Sequence, residues 1–349
     1  MSARRDGYAS VAFTHEHAPV PTESVRAASL PHLLPRAAAI QALADRKPKS
    51  RTLPAALKGL KDHLPLLENL LAVTDVLQQR RLAAGSIDLA LGHPPLDSLG
   101  DLAVPAPDSA LQGWFVQLPS HHPMALLREA ALVADRAMGQ HLSALQLPAL
   151  YAANPAADPS DLNDVAKAAL ALEIPLELSE EGDANASELA TAFAATDRCR
   201  ALQQQLQAAL KPVELTTTAS DHALAGLMGD ESALAPWCFP GLHYADLWNQ
   251  QVLALLLSEG KDRPSVRHKT SVDLASDACI GAIDWPLLAP SAVTPFNEAL
   301  DHGLAQRLNG RRRFMAELHR DLLAMAQARQ AEPLVGQVLP GVISGVQSY

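Results

Sequence analysis

The chain has 349 residues, 48% of them hydrophobic, which is enough apolar material for one large domain or two average ones. Only 4% of the residues are aromatic and 19% are charged, and the abundance of Ala and Leu favours helices over a β-sandwich or barrel. The formal net charge of −10 argues against nucleic-acid binding through overall phosphate attraction, so any RNA site must be local.

The first half of the chain predicts two short strands followed by helices with strands between them. Alternating or clustered β-favouring residues indicate the strands, and apolar residues at helical spacing indicate the helices. Pro123 is placed to open a helix, because proline is favoured in the first turn. The predicted strands are 8–14, 23–30, 86–91 and 114–118, and the predicted helices are 34–46, 65–84 and 124–145.

The second half predicts a series of helices and a final strand. An extended connection at 151–162 leads to a helix that begins near Leu162 and is capped by Asp158, Ser160 or Asp161. The acidic stretch 179–188 is typical of a solvated loop. Further helices are predicted at 187–210, 220–229, 241–258 and 296–331, and a strand at 334–346.

Cysteine usage and the N-terminal sequence bear on the compartment. Cys199, Cys238 and Cys279 are far apart and odd in number, which fits a reducing compartment and neither a disulfide framework nor a zinc cluster. The first residues lack the apolar segment of a signal peptide, and Asp6 and Glu16 interrupt an organelle-targeting helix. We therefore expect a cytoplasmic protein, with a mitochondrion or plastid as the alternative, and no membrane partner.

The spacings of common catalytic motifs are missing, which lowers the weight of nucleotide-binding, zinc-protease and serine-hydrolase classes. The pairs His15/His17 and His121/His122 are more typical of loop histidines than of metal ligands. Local basic clusters could hold phosphates, although basic residues at helix ends also offset the helix dipole. These clusters are Arg46, Lys47, Lys49 and Arg51; Arg263, Arg267, His268 and Lys269; and Arg311, Arg312 and Arg313.

The order of four segments resembles the RNB family of processive exoribonucleases, the ribonuclease II and ribonuclease R type. The segments lie at 8–43, 64–93, 121–155 and 235–257. The last, APWCFPGLHYADLWNQQVLALLL, is similar to the family signature HFTSPIRRYADLWNQRVL. Within it the matching residues are Pro240, Tyr244, Ala245, Asp246, Leu247, Trp248, Asn249 and Gln250.

The resemblance implies an α+β, predominantly helical fold: a partial RNB-like domain with a small mixed sheet. We expect this domain at 1–333, lacking its N-terminal catalytic part. Residues 334–349 would be the first strand of an OB-type barrel or a tail. The basic segment 308–323 resembles the C-terminal helix of the family.

The departures from the family pattern bear on mechanism. In this family an aspartate cluster near the domain start holds magnesium, and we expect the chain to begin after it. Leu242 and His243 replace the arginine pair of SPIRRY, and Phe239 and Pro236 replace the Ser and His of HFTS. Leucine cannot make a bidentate phosphate contact. His319 replaces an expected glutamate, with Glu317 two positions earlier. The resemblance therefore implies an inactive relative with no cofactor.

The leading hypothesis is a non-catalytic protein that binds single-stranded RNA or acts as a subunit of an RNA-containing assembly. A protein partner would cover the truncated domain edge. The alternative is a Mg-dependent 3′-to-5′ exoribonuclease whose missing aspartates are supplied elsewhere, or a fragment of a longer enzyme. A third class is an acidic scaffold without RNA contact. The predicted RNA-binding residues are Arg263, Arg267, Lys269, Arg311, Arg312, Arg313 and Tyr244.

The helix at 241–258 yields a structural prediction. We expect Leu247, Val252 and Leu256 to be buried and Tyr244 to face the side that holds the active site in the family. Trp248 shares a helix face with Tyr244, and packing in the core is the more common role of such a pair than base stacking.

Overall fold

The computed structural model describes residues 2–3, 9–10, 41–46, 52–91, 109–176, 179, 182–229, 232–276, 279–341 and 343. The chain divides into two compact units, each assembled from separate stretches of sequence. The first unit comprises Met1–Arg81, Leu118–Leu147 and Ala235–Val293, and the second comprises Leu82–Gln117, Pro148–Leu234 and Thr294–Tyr349. The predicted boundary between 333 and 334 stays a prediction.

The predominantly helical α+β fold is confirmed. The main helices are α1 Leu64–Ala83, α2 Pro123–Ala144, α3 Pro159–Leu170, α4 Ala186–Ala194, α5 Cys199–Ala209, α6 Tyr244–Glu259, α7 Pro290–Asp301 and α8 Leu304–Ala331. Short 3-10 helices lie at Ala55–His63, Ser109–Gln112, Ala223–Ala225 and Glu332–Leu334. The strands are β1 Ser2–Ala3, β2 Ala9–Ser10, β3 Asp88–Leu89, β4 Phe115–Val116, β5 Tyr151–Ala153 and β6 Glu214–Thr216.

The strand content is small and includes both pairing directions. The described strands form separate two-stranded sheets: β1 with β2 antiparallel, β3 with β4 parallel, and β5 with β6 antiparallel. In the parallel pair Asp88 lies opposite Phe115, and in the last pair Tyr151 lies opposite Thr216. The predicted strands at 86–91 and 114–118 are therefore formed over their central residues.

The predicted opening hairpin and first helix lie mostly outside the described residues. Of the predicted strand at 8–14, the structure describes the backbone of Ala9–Ser10, and the whole of 23–30 lies outside the description. Residues 41–44 of the predicted helix at 34–46 are helical. The basic residues at 47, 49 and 51 also lie outside the described part of the chain.

The helix predicted at 187–210 is wrong as a single element, since it forms α4 and α5 with a turn between them. The hydroxyl of Thr196 donates to the carbonyl of Phe193 at 3.0 Å and its backbone N–H donates to the same carbonyl, which ends α4. The turn lets the two helices pack together. The amide of Gln203 on α5 donates to the carbonyl of Ala190 on α4 at 3.2 Å.

The helix predicted at 220–229 is also wrong, because Asn154 takes up the backbone groups of this segment. The Asn154 side chain accepts from Leu224 N–H at 2.9 Å and donates to the carbonyl of Lys211 at 2.8 Å. The Asn154 backbone bonds to Asp221 and Ala223. The segment keeps only the 3-10 turn Ala223–Ala225.

Two more predicted elements at the C-terminal end need correction. Gly303, with a left-handed φ of 78°, separates α7 from α8, so the predicted helix at 296–331 is two helices. The strand predicted at 334–346 does not form over its described residues, 334–341 and 343. Val335 and Val338 are exposed there, and an isolated strand would leave its backbone groups without partners.

The second unit has a core in which three helices cover the parallel strand pair. α4 packs on α5 and on β3, and α3 packs on α5. The apolar positions repeat at helical spacing, so each helix turns one face inward. The core residues include Leu89, Trp114, Leu162, Val165, Ala169, Leu189, Phe193, Leu202 and Leu206.

A buried ion pair joins α1 to α2 in the first unit. The Arg81 guanidinium and the Glu129 carboxylate are 4% and 2% exposed, with a shortest N···O distance of 2.9 Å. Arg81 Nε also lies 3.1 Å from the second carboxylate oxygen, so the contact is bidentate. Arg128 Nε adds a contact of 3.1 Å to the same carboxylate. Removing one partner of such a pair leaves a buried charge.

We predict that Arg81→Met lowers the free energy of unfolding by about 3 kcal/mol, because Glu129 loses its bidentate partner. The double variant R81M/E129M should recover most of that loss, since both charges of the fully buried pair are removed together and the remaining Arg128 is 13% exposed to water. The measurement is urea denaturation of each variant. As a control, Lys167→Ala breaks the exposed pair with Asp164 and should change stability by less than about 0.5 kcal/mol. Equal losses in R81M and K167A would contradict the prediction.

Candidate functional site

The loop before α6 is held by the polar side chains of the helix that follows it. Asp246 Oδ1 accepts from the N–H of Phe239 at 2.8 Å. The Asn249 amide donates to the carbonyl of Pro236 at 2.8 Å, and the Gln250 amide donates to the carbonyl of Trp237 at 3.0 Å. Asp246 and Asn249 are buried. These signature residues therefore bind backbone groups of their own loop.

Helix α2 holds the same loop from another direction. Asp135 Oδ1 accepts from the N–H of Trp237 at 3.1 Å, and the Asp135 carbonyl accepts from the N–H of Ala235 at 2.9 Å. The Cys238 thiol lies 3.9 Å from the carbonyl of Ala131. The loop between 235 and 240 is thus fixed to two helices through its backbone.

Two groups in this cluster have strongly raised pKa values. Burial, together with the negative charge of Asp246, raises the pKa of Asp135 to about 7, although hydrogen bonds from Cys238 and the N–H of Trp237 oppose the rise. Burial, followed by the charge of Asp135, raises the pKa of the Cys238 thiol to about 12. Cys238 is therefore not a thiolate nucleophile at neutral pH.

Helix α6 buries the face predicted from its sequence with one exception. Val252 and Leu256 are fully buried, as predicted, but Leu247 is 41% exposed and that part of the prediction is wrong. The buried stripe runs through Ala245, Asn249, Val252 and Leu256, and Leu247 lies off it. A leucine of the signature is therefore left at the surface.

The aromatic pair of the signature divides between core and surface. Trp248 is 9% exposed and belongs to the core, whereas Tyr244 is 52% exposed. Their ring centroids are 6.4 Å apart with an interplanar angle of 38°. Tyr244 is accessible to a ligand, and the direction it faces relative to the family active site stays a prediction.

The two positions where the resemblance places arginines are occupied by an apolar and an aromatic side chain. Leu242 is 80% exposed, and the His243 ring meets the Phe239 ring edge-on at 6.4 Å. Neither side chain offers the paired N–H donors that clamp a phosphate. The start of α6 therefore exposes a leucine and a histidine at these positions in place of two arginines.

The first group of predicted RNA contacts lies on the segment after α6. Arg263, Arg267 and Lys269 are exposed, and Arg263 Nε lies 3.5 Å from Asp262. Tyr244 is the first residue of α6 and these residues follow its last, and the 16 residues of the helix span about 24 Å. A contact surface shared by Tyr244 and the three basic residues stays a prediction.

The second group lies on α8, in the other unit, and its three arginines differ. Arg311 is exposed, Arg312 is half-buried, and exposed Arg313 lies 3.2 Å from Glu214. One turn earlier, Asn309 fixes the helix to β6: its amide donates to the carbonyl of Leu215 at 2.9 Å and accepts from its N–H at 2.8 Å. Arg311 and Arg313 therefore lie on a helix that is hydrogen-bonded to β6.

Arg312 lies close enough to His222 to influence its titration. Burial lowers the pKa of His222 to about 4, and the positive charge of Arg312 acts in the same direction. His222 also accepts from the N–H of Ala225 at 3.1 Å through Nδ1. The Arg312 side chain is therefore half-buried near His222, whereas Arg311 is exposed.

The described residues do not fit a magnesium site. Within the part of the chain that the structure describes, no group of three or more His, Cys, Asp or Glu side chains could hold a metal ion. Near the signature, Asp246 is buried and Asp135 is half-buried, and each accepts a backbone N–H. Magnesium requires several oxygen ligands together with water or substrate. His122 caps α2 by accepting from the N–H of Met124 at 3.1 Å.

Comparison with known proteins identifies the family. The sequence model of the RNB domain matches residues 37–259, which include the loop and α6. The chain belongs to the RNB domain family. The match ends with α6, so the basic residues at 263–269 and helix α8 lie beyond the matched range.

Known relatives support the same fold. The acetazolamide conferring resistance protein zam of Synechocystis is 29% identical over 295 residues, which cover 83% of this chain and 36% of that protein. The RNase R of Mycoplasma genitalium in complex with ribose-methylated single-stranded RNA has a TM-score of 0.58 at 14% identity, covering 81% of this chain and 38% of that one. Its complex with double-stranded RNA gives 0.56 at 13% identity, covering 88% and 47%. The chain thus spans less than half the length of these relatives.

None of the described helices is long and apolar enough to cross a bilayer.

Asp135 contacts the signature loop, although no motif or family resemblance in the sequence points to it. It lies on an apolar stripe of α2 with Ala131, Met138 and Leu142, at spacings of four, three and four residues. A carboxylate on such a stripe is a signal in itself, because an isolated carboxylate is seldom buried without a partner. Its partners lie a hundred residues later in the chain.

We predict that Asn249→Ala lowers the free energy of unfolding by about 2 kcal/mol, because the carbonyl of Pro236 loses its donor and the fully buried Asn249 side chain is removed. Gln250→Ala removes the equivalent bond to Trp237 from a half-buried position and should cost about 1 kcal/mol. Urea denaturation followed by tryptophan fluorescence measures both. The loop-holding role of Asn249 would be wrong if its variant were as stable as the parent.

Proposed function

We propose that this chain is a non-catalytic member of the RNB family that contacts single-stranded RNA or works within an RNA-containing assembly. The observation that carries the proposal is that the signature keeps the residues that hold the loop and lacks the two arginines. Its Asp, Asn and Gln side chains hold the loop backbone, while the two expected arginine positions are Leu242 and His243. The binding scaffold is kept without the phosphate clamp.

RNA contact is supported by exposed cations on an otherwise acidic chain. Arg263, Arg267 and Lys269 are exposed after α6, and Arg311 is exposed on α8. Arg313 forms a surface ion pair, and such pairs contribute so little that a phosphate can compete for the arginine. Tyr244 is an exposed aromatic side chain, of the kind on which a base can stack. The similar RNase R structures hold RNA, which agrees with this choice of ligand.

The alternative proposal is a Mg-dependent 3′-to-5′ exoribonuclease whose metal ligands come from outside the described residues or from another polypeptide. A protein partner that covers the apolar surface at Leu242 is compatible with either function. A scaffold role without RNA is the third possibility, and the net charge of −10 is compatible with it.

We predict that the purified chain, supplied with magnesium, leaves 3′-tailed single-stranded RNA intact. The physical reason is that Leu242 and His243 cannot clamp the scissile phosphate, a contact of the kind whose loss costs a factor of about 100 to 1,000 or more. End-labelled RNA on a denaturing gel is the measurement, and Mycoplasma genitalium RNase R is the positive control. Stepwise shortening to very small products would establish the exoribonuclease instead.

We predict weak RNA binding that falls steeply with salt. On single strands each phosphate contact contributes about −0.7 to the slope of log K against log salt. Replacing Arg263, Arg267 and Lys269 together with alanine should flatten the slope by about 2, and Arg311→Ala should flatten it by about 0.7. Fluorescence anisotropy with a labelled oligonucleotide between 20 and about 200 mM salt measures both.

Arg329→Ala provides the matched control for Arg311→Ala, since it removes the same charge near the far end of the same helix. Its slope should equal that of the parent. Arg312 is left intact because it is half-buried beside His222. An absence of binding at the lowest salt would favour the scaffold, and equal slopes for R311A and R329A would remove Arg311 from the contact surface.

A further inference from the structure

The loop before α6 contains a carboxyl pair that the proposed RNA contacts do not use. Asp135 comes from α2 and Asp246 from α6, and each accepts a backbone N–H of the loop, from Trp237 and Phe239 respectively. Asp246 is 4% exposed. The loop therefore lies between two carboxyl groups supplied by two different helices.

Two such carboxyl groups cannot both ionise without cost. Removal of a carboxylate from water is unfavourable, and a second negative charge nearby adds repulsion. The titratable groups that act on Asp135 are Asp246 on α6 and Cys238 on the loop, and at neutral pH the thiol of Cys238 is uncharged and adds no further negative charge. The hydrogen bond from the N–H of Trp237 favours ionisation but does not outweigh burial and repulsion.

We propose that Asp135 is a pH-dependent latch, which holds the loop 235–240 against α2 while its carboxyl is protonated and releases it on ionisation. Release relieves the repulsion from Asp246 and lets water reach both carboxylates. Ala235 and Trp237 then lose their bonds to α2, while Phe239 keeps its bond to Asp246. This inference does not depend on whether the chain binds RNA.

The direction of the pH dependence follows from proton linkage. In the closed loop the pKa of Asp135 is about 7, whereas an exposed aspartate titrates near 4. The closed loop binds the proton more tightly than the open one. Closure is therefore most stable below the ordinary aspartate value, weakens as the pH rises, and has lost this contribution once the pH passes about 7.

Amide hydrogen exchange of the full chain, followed by mass spectrometry, tests the latch. After correction for intrinsic exchange rates, the protection of the 235–243 peptide should fall about tenfold or more between pH 5.5 and pH 8, because each unit below the closed-state pKa corresponds to a factor of about 10. The peptide from α5, Cys199–Ala209, should keep its protection and controls for global unfolding.

Asp135→Asn is the decisive variant, since its amide oxygen still accepts from Trp237 but cannot ionise. Its loop should keep the same protection at both pH values. Asp246→Asn keeps an acceptor for Phe239 and removes the repelling charge, so the pH dependence should shrink without disappearing. This second variant also serves if D135N does not fold. A parent loop with constant protection, or D135N with the parent's pH dependence, would overturn the latch.

Discussion

The backbone of the loop 235–240 depends on side chains for its hydrogen bonds, and this requirement organises the region around the family signature. A loop without strand or helix partners must satisfy its buried N–H and C=O groups elsewhere. Asp135, Asp246, Asn249 and Gln250 do so from two helices. The position of the loop is therefore determined by α2 and α6, since these helices supply the groups that bind its backbone.

The second unit solves the same problem with other residues. Asn154 serves the backbone around Leu224, and Asn309 pairs with both backbone groups of Leu215 as a neighbouring strand would. Both side chains are buried, so each replaces water that the backbone would otherwise need. Short strands and turns can persist in a mainly helical fold because amide side chains complete their hydrogen bonding.

Local pattern was enough to predict much of this fold. Helix α1 and helix α2 lie within a residue of their predicted bounds, because apolar spacing and Pro123 are local signals. The break between α4 and α5 and the turn at 223–225 were missed, because long-range packing and Asn154 decide them. Strand β6 was missed for the same reason, since its partners are Tyr151–Ala153 and Asn309.

The candidate site was predictable to a different degree. Resemblance located the signature and the replaced arginines, both of which are matters of residue identity. It did not reveal that Asp135 lies against the signature loop, because that contact joins positions a hundred residues apart. Charge clustering added Arg263, Arg267 and Lys269, which follow the end of α6, and their grouping with Tyr244 stays a prediction. Spacing along a sequence is a guide to contact within a helix turn and loses that meaning over four turns.

The contacts of the retained signature residues are consistent with a role in folding. Asp246 and Asn249 are buried and bind the loop, so replacing either would remove a hydrogen bond to the loop backbone whatever the chain binds. Leu242 is 80% exposed, and a change there costs the fold little. A chain that no longer cleaves RNA would therefore keep YADLWNQ and lose the arginines before it. Retention of the motif is evidence for the scaffold, while activity has to be judged from the exposed positions.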